Sequence, residues 1–273
     1  MEVELLQYAF MRRALLAALL VGLTAPPVGV HLVQRRLALI GDGLGHVALT
    51  GVAIGLVTAT SPVLTALVAA VVGSVVVELI RARGRTSGDV ALAVLFYGGI
   101  AGGVVIVSQA PPGRSTNLDA YLFGAITTTT THDVWTFAAL AGVVLAVTVG
   151  LGRHLFAVGD DEEYARASGL PVLGLNLVLA MVTSVTVVVS MRVVGLLLIS
   201  ALMVVPVATA QLVARSFRGT LVIATLVAVL ASVAGVAISF QADTPSGGTI
   251  VLLAIAAFVV VAAGAAIASA RRT

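Results

Sequence analysis

Apolar windows long enough to cross a bilayer as helices follow one another along this chain, with only short polar gaps between them. A helix rises about 1.5 Å per residue, so about 20 apolar residues span the hydrocarbon core. Nine such windows fall at about residues 14–34, 37–59, 62–80, 89–108, 134–152, 171–190, 193–214, 219–240 and 248–268. Unpaired backbone amides are not tolerated in lipid, which makes helices the expected element. Apolar residues are 60% of the 273 and charged residues 10%, whereas a soluble domain carries about 25% charged residues. The expected fold is an all-α polytopic membrane protein, one domain over residues 1–273, with about nine spans. Eight is the alternative count.

The charges lie between the windows. All 15 basic residues are arginine, against 12 acids, for a net charge of +3. Their short clusters mark one side of a membrane rather than a nucleic-acid surface. With the N-terminus outside, Arg35, Arg36, Arg81, Arg83, Arg85, Arg153, Arg166, Arg215, Arg218, Arg271 and Arg272 face the cytoplasm, leaving Arg12, Arg13, Arg114 and Arg192 opposite. Eleven against four predicts nine spans in the cell membrane, N-terminus out and C-terminus in. Arg12 and Arg13 pull the other way and would suit eight spans with one early re-entrant segment. The first apolar run lacks a clear small-residue cleavage site, so it is expected to be retained.

Absences narrow the chemistry. With no cysteine, disulfides, thiolate metal sites and thiol catalysis are excluded. With no lysine, no GxxxxGK[ST] phosphate loop is possible, so the chain carries no ATPase motor of that kind. An intramembrane metalloprotease would need an HExxH-type run, and the four histidines stand in separate segments. No enzyme activity and no permanently bound cofactor are expected.

Within the second window, LALIGDGLGHVALTGVAIG places Asp42 and His46 four residues apart. On a helix that spacing puts both on one face, about 6 Å apart in rise. Both residue types ligate zinc, manganese or iron(II), and an intramembrane carboxylate needs a partner charge, a cavity or protein around it. Two readings stand on the residues alone. Asp42 caps the helix while His46 bonds a carbonyl, or the pair holds a cation with ligands from elsewhere, most simply a symmetry-related copy.

The other ionisable residues read as structural. His31 packs near the end of the first window, His132 and Asp133 start the fifth, and His154 sits in a solvated loop beside Arg153. Glu78 and Arg81 form an i,i+3 pair. The glycine pairs 41/45, 51/55, 98/102 and 99/103 read as helix packing surfaces, and Pro206 as a kink. In VGDDEEYARASGLP, Asp160 as N-cap with Glu163 three later has capping-box spacing. Asp161 and Glu162 add charge to the first turn, Gly169 ends the helix, and Pro171 prevents continuation. Two turns are unstable alone in water, so this helix packs either on the internal face of the membrane domain or on a soluble partner.

These segments resemble the permease subunit of zinc, manganese and iron uptake ABC transporters. The marks are GDGLGHVALTGVAIG at 41–55, YLFGAI at 121–126, DDEEYARASG at 160–169, VVGLLLISALMVVPVATA at 193–210 and SFQADTPSGGTIVLL at 239–253. The resemblance implies a type II importer architecture: two permease copies around a central path, with two cytoplasmic ABC ATPases beneath and an extracellular or periplasmic metal-binding receptor outside. It implies that Asp42 and His46 hold the transported Zn2+ or Mn2+, possible iron included, and that ATP is used by the partner subunit. It also implies that segment 153–170 couples to the ATPase, through Asp160, Asp161, Glu162, Glu163, Ala165, Arg166 and Gly169. Gly45 departs from the serine common before the motif histidine. A secondary metal carrier or channel is the alternative reading; such a carrier does not need the DDEEYARASG helix.

Overall fold

The computed structural model describes residues 7–83, 88–110, 118–124, 130–191, 193–196 and 198–270. Glu2, Glu4, Arg85, Pro111 to Arg114, Thr127 to Thr129, Arg192, Arg271 and Arg272, together with the Asp119 side chain, lie outside the described residues.

Every described element is helical. In chain order they are α1 (Ala9–Gln34), α2 (Ile40–Thr58), α3 (Pro62–Ala82), α4 (Gly88–Val107), α5 (Leu118–Phe123), α6 (Thr131–Gly150), α7 (Gly152–Asp160), α8 (Glu162–Ala167), α9 (Val172–Ser190), α10 (Ile199–Gln211), α11 (Phe217–Ala242) and α12 (Ser246–Ala270). Their ends follow local chemistry. Pro62 begins α3, where its missing N–H costs nothing. Thr130 and Asp133 close a reciprocal capping box at α6, and the Ser216 side chain accepts from Gly219 N at α11.

Eight helices are long and apolar enough to span: α1, α2, α3, α4, α6, α9, α11 and α12. The window expected at 193–214 instead holds the 13-residue α10, and before it Met191, residues 193–196 and Leu198 are not helical. The chain nonetheless crosses a ninth time. The start of α9 lies with the end of α1, because Arg35 donates to Asn176 Oδ1. The far end of α9 lies with α5 and the start of α12, through Leu196 N to Tyr121 O at 2.9 Å and Ser246 Oγ to Val193 O at 2.8 Å. Since Phe217, opening α11, stacks near His31 in α1, residues 191–216 return across the bundle. Half of this passage is loop and half is helix.

Irregular backbone at such depth survives only where protein covers it. Val193, Val194, Leu196 and Ile199 are buried, and the glycines admit the backbone. Gly195 has φ +88, and a Cβ there would overlap the Leu122 carbonyl. Only glycine adopts that conformation at no steric cost.

α1, α2 and α9 form the centre: 72%, 61% and 67% of their spanning windows are buried, against at most 33% for the other five spans. The outer spans therefore present apolar faces outward, such as Leu64, Val68, Val72 and Val76 along α3. Buried hydroxyls in the centre are satisfied. Thr183 Oγ1 and Thr186 Oγ1 donate to carbonyls four residues back, and Ser184 Oγ reaches Ala70 O at 3.0 Å across to α3.

Candidate cation site and coupling helix

α2 begins without a side-chain cap: Leu39 is the capping residue and Asp42 occupies the third helical position. A carboxylate there opposes the positive helix end, but it is not the N-cap. One face of α2, carrying Gly41 and Gly45, lies against the 191–211 passage. A Cβ on Gly41 would stand 2.6 Å from Ser200 Oγ, and one on Gly45 would stand 2.7 Å from Leu196 O. Glycine at 45, in place of the serine of the resemblance, thus makes room for a backbone carbonyl.

The adjoining face carries Asp42 and His46, both half-buried. The His46 ring meets Phe96 of α4 edge-on at 4.3 Å. His46 Nδ1 is buried with no hydrogen-bond partner among the described residues, and so is Ser200 Oγ. At Nδ1 the ring accordingly makes no carbonyl bond among the described residues. α4 approaches His46 closely because position 99 is glycine, where a Cβ would stand 2.6 Å from both His46 C and Val47 N. Thr50 Oγ1 adds a 2.7 Å bond to Gly99 O. Gly51, Gly55, Gly99, Gly102 and Gly103 all meet neighbouring helices, whereas Gly98 faces open space; the 98/102 pair is not a packing surface. Among the described residues no three or more His, Asp, Glu or Cys gather to hold a metal. Asp42 and His46 thus have no third side chain of this kind beside them among the described residues.

The remaining histidines have other settings. His31 is buried with its ring 5.3 Å from Phe217. His132 and His154 are exposed, and Asp133 caps α6, accepting from Thr130 N at 3.0 Å and Thr130 Oγ1 at 2.7 Å.

On the arginine-rich side the expected 160–169 helix is shorter, and its start is shifted. Asp160 ends α7, a helix of its own. Asp161, not Asp160, is the N-cap of α8, accepting from Tyr164 N at 2.9 Å. The reason is geometric: residues 152–160 already continue helically from α6, so the first extended backbone, φ −146 and ψ 103, comes at Asp161. Glu162 and Glu163 then fall in the first turn, Arg166 pairs with Glu162 at 2.9 Å, and Ala165 is the buried contact. Gly169 at φ +82 ends the helix as expected. Gly169 N bonds Arg166 O and Leu170 N bonds Ala165 O, both at 3.1 Å, the paired bonds of a Schellman end.

Beneath α8 lies a polar cavity of about 250 Å3 lined by Glu78, Arg81, Glu162, Arg166 and Asn176. Glu78 is buried and accepts from Arg81 Nη1 at 2.7 Å. Arg35 joins through Asn176; burial pushes its guanidinium below the usual arginine value, and Glu78 and Glu162 partly offset this. Sequence reasoning missed Arg35 and Asn176, which are 141 residues apart and carry no local pattern. It also passed over Tyr164, 71% exposed on α8, although a lone aromatic among charges is a legible signal.

The sequence pattern of the ABC 3 transport family matches residues 7–265. The chain belongs to the ABC 3 transport family. It is a membrane permease subunit of a metal-ion ABC importer, with ATP hydrolysis carried by a separate subunit. Among the relatives of this permease is a probable metal transport system membrane protein of Treponema pallidum, 35% identical over 260 residues, covering 95% of this chain and 97% of that one. A manganese transport system membrane protein, MntC of Halalkalibacterium halodurans, is 30% identical over 93% of this chain and 87% of its own. Among solved structures, PsaBC from Streptococcus pneumoniae in complex with Fab matches with a TM-score of 0.85 at 27% identity, covering 96% of the permease and 95% of that chain.

Proposed function

We propose that two copies of this permease enclose one cation path, that Asp42 and His46 of each copy form a four-ligand site on it, and that the cargo is zinc, manganese or iron(II). The observation that carries this reading is the half-finished ligand set: a carboxylate and an imidazole on one face, an orphaned buried His46 Nδ1, and no third ligand among the described residues. A second copy supplies the missing half, as a cation site of this kind needs about four ligands. Carboxylates on the path offset the ion's charge where the dielectric is low. The names of the relatives, one of metal transport and one of manganese, support the cargo class.

α8 is the docking lever for the cytoplasmic ATPase. Exposed Tyr164 is its anchor, and Asp161, Glu162, Glu163 and Arg166 its polar surface. Movement of α8 reaches the ion through the charged cavity: Glu162 and Arg166 bear on Glu78, Arg81 and Asn176, and Asn176 holds Arg35, which leads through a short link into α2 and Asp42. An external metal receptor delivers the ion to the opposite face, and the N-terminus lies outside. The decisive measurement is radiolabelled zinc and manganese uptake by reconstituted permease–ATPase complexes. Asp42→Asn and His46→Ala lose uptake while the complex survives; His154→Ala, exposed and remote, transports normally. Wild-type uptake by both Asp42→Asn and His46→Ala would refute the site.

A further inference from the structure

A groove of about 820 Å3 opens between α1, α6, α7 and α11. Its walls are apolar, with Leu145, Val149, Leu221, Val222 and Leu226 among them, and Val149, Val222 and Leu226 remain 73%, 57% and 57% exposed. Its mouth carries Arg153 and Arg218, both exposed. Neither forms an ion pair among the described residues. Arg153 sits at the start of α7 and Arg218 in the first turn of α11, whose positive end adds to the attraction for an anion. At the base lies His31, 3% exposed, with Nδ1 buried and unpartnered among the described residues. The ring is one of the few polar groups in the lining of the groove.

We propose that this groove binds an anionic phospholipid of the arginine-rich, cytoplasmic leaflet. Its phosphate is held by Arg153 and Arg218, one acyl chain runs along Val149, Val222 and Leu226, and His31 faces the polar link between them. Basic pockets between spans on the cytoplasmic side suit acidic headgroups, and the volume is that of a small-ligand site, roughly 300–1,000 Å3. Charge complementarity selects a phosphate, and the apolar walls select one attached to a hydrocarbon chain. A second permease copy is the less fitting occupant. α2 packs on α3, α4, α9 and α10, none of which lines the groove, so copies meeting around Asp42 and His46 leave it facing lipid.

The test titrates the detergent-purified permease–ATPase complex with phosphatidylglycerol, phosphatidylethanolamine of the same chains, and inorganic phosphate, counting bound molecules by native mass spectrometry. Phosphatidylglycerol binds with preference. Arg153→Gln with Arg218→Gln weakens it roughly thirty-fold, the effect of two arginines at an anionic headgroup. Val222→Trp, which fills the groove and leaves both charges, removes it as well. Equal retention of the two lipids, unchanged binding in both variants, or inorganic phosphate binding as tightly as the lipid overturns the proposal. So does a disulfide between copies in Val222→Cys, since the native chain has no cysteine.

Discussion

Gly99→Ala tests whether the position of His46 is set by the approach of α4. The new Cβ would stand 2.6 Å from His46 C and Val47 N, both backbone atoms, where ordinary contact begins at 3.4 Å. Neither atom can rotate away, so the helices must separate by roughly 0.8 Å. Overpacking of this kind costs about 1–3 kcal/mol, and the gain in helix propensity from glycine to alanine returns about 1 kcal/mol. Net destabilisation is therefore about 0–2 kcal/mol, small enough for the complex to assemble. The displacement matters more for function, because metal ligands are held to within about 0.2 Å of their bonding distances. Uptake should fall at least ten-fold with the thermal midpoint little changed. Gly98→Ala is the built-in control: it is the adjacent residue, and its Cβ meets nothing within 4 Å. It should leave uptake intact and raise stability slightly. Measured side by side as zinc and manganese uptake in proteoliposomes, equal activity of the two variants would refute the claim that α4 positions His46.

Gly195→Ala combines a left-handed backbone with overlap of the Leu122 carbonyl and should cost about 2–5 kcal/mol, seen as loss of folded, monodisperse protein on size exclusion. Glu78→Gln removes the acid that pairs Arg81 and faces half-buried Arg35; about 2 kcal/mol of stability should go, and ATP-driven uptake should fall further than the thermal midpoint does. Gly169→Pro forbids φ +82 at the end of α8 and should uncouple ATPase association from an otherwise intact bundle, read by co-purification of the ATPase. Single cysteines at Thr244 and Ser168 should label from opposite faces of the membrane, outside and inside respectively; labelling of both from one face would sink the nine-pass topology.

The long spans were legible because hydrophobic period and length suffice for a helix in lipid, and the placing of Asp42 and His46 on one helix was legible because their i,i+4 spacing is local. What escaped depends on partners distant in sequence. The 193–214 window is as apolar as its neighbours, yet its start is pinned as loop by Tyr121 O, Ser246 Oγ and the space left by Gly195. Hydropathy cannot register a hydrogen bond made 75 residues away. The start of α8 was misread by one residue for a related reason. Asp160 and Asp161 are chemically equal as caps, and only the helical continuation through α7 decides that Asp161 is the first residue free to adopt extended backbone.

The broken passage and the glycine face of α2 belong to one arrangement. A continuous helix from 193 to 211 would satisfy its own carbonyls and present side chains to α2. As a loop it instead brings the Leu196 carbonyl against Gly45, one residue from His46, while Ser200 Oγ stands at Gly41, one residue from Asp42. A backbone carbonyl and a hydroxyl unpartnered among the described residues thus lie alongside Asp42 and His46. A helix joined to an irregular stretch can pivot without breaking its internal bonds. α10 also abuts α1, where the Met203 carbonyl fills the space beside Gly29, and α1 ends at Gln34, immediately before Arg35 of the charged cavity. The α8 side thus connects with both flanks of Asp42 and His46: Arg35 precedes the start of α2, and α1 packs on the helix that carries Ser200.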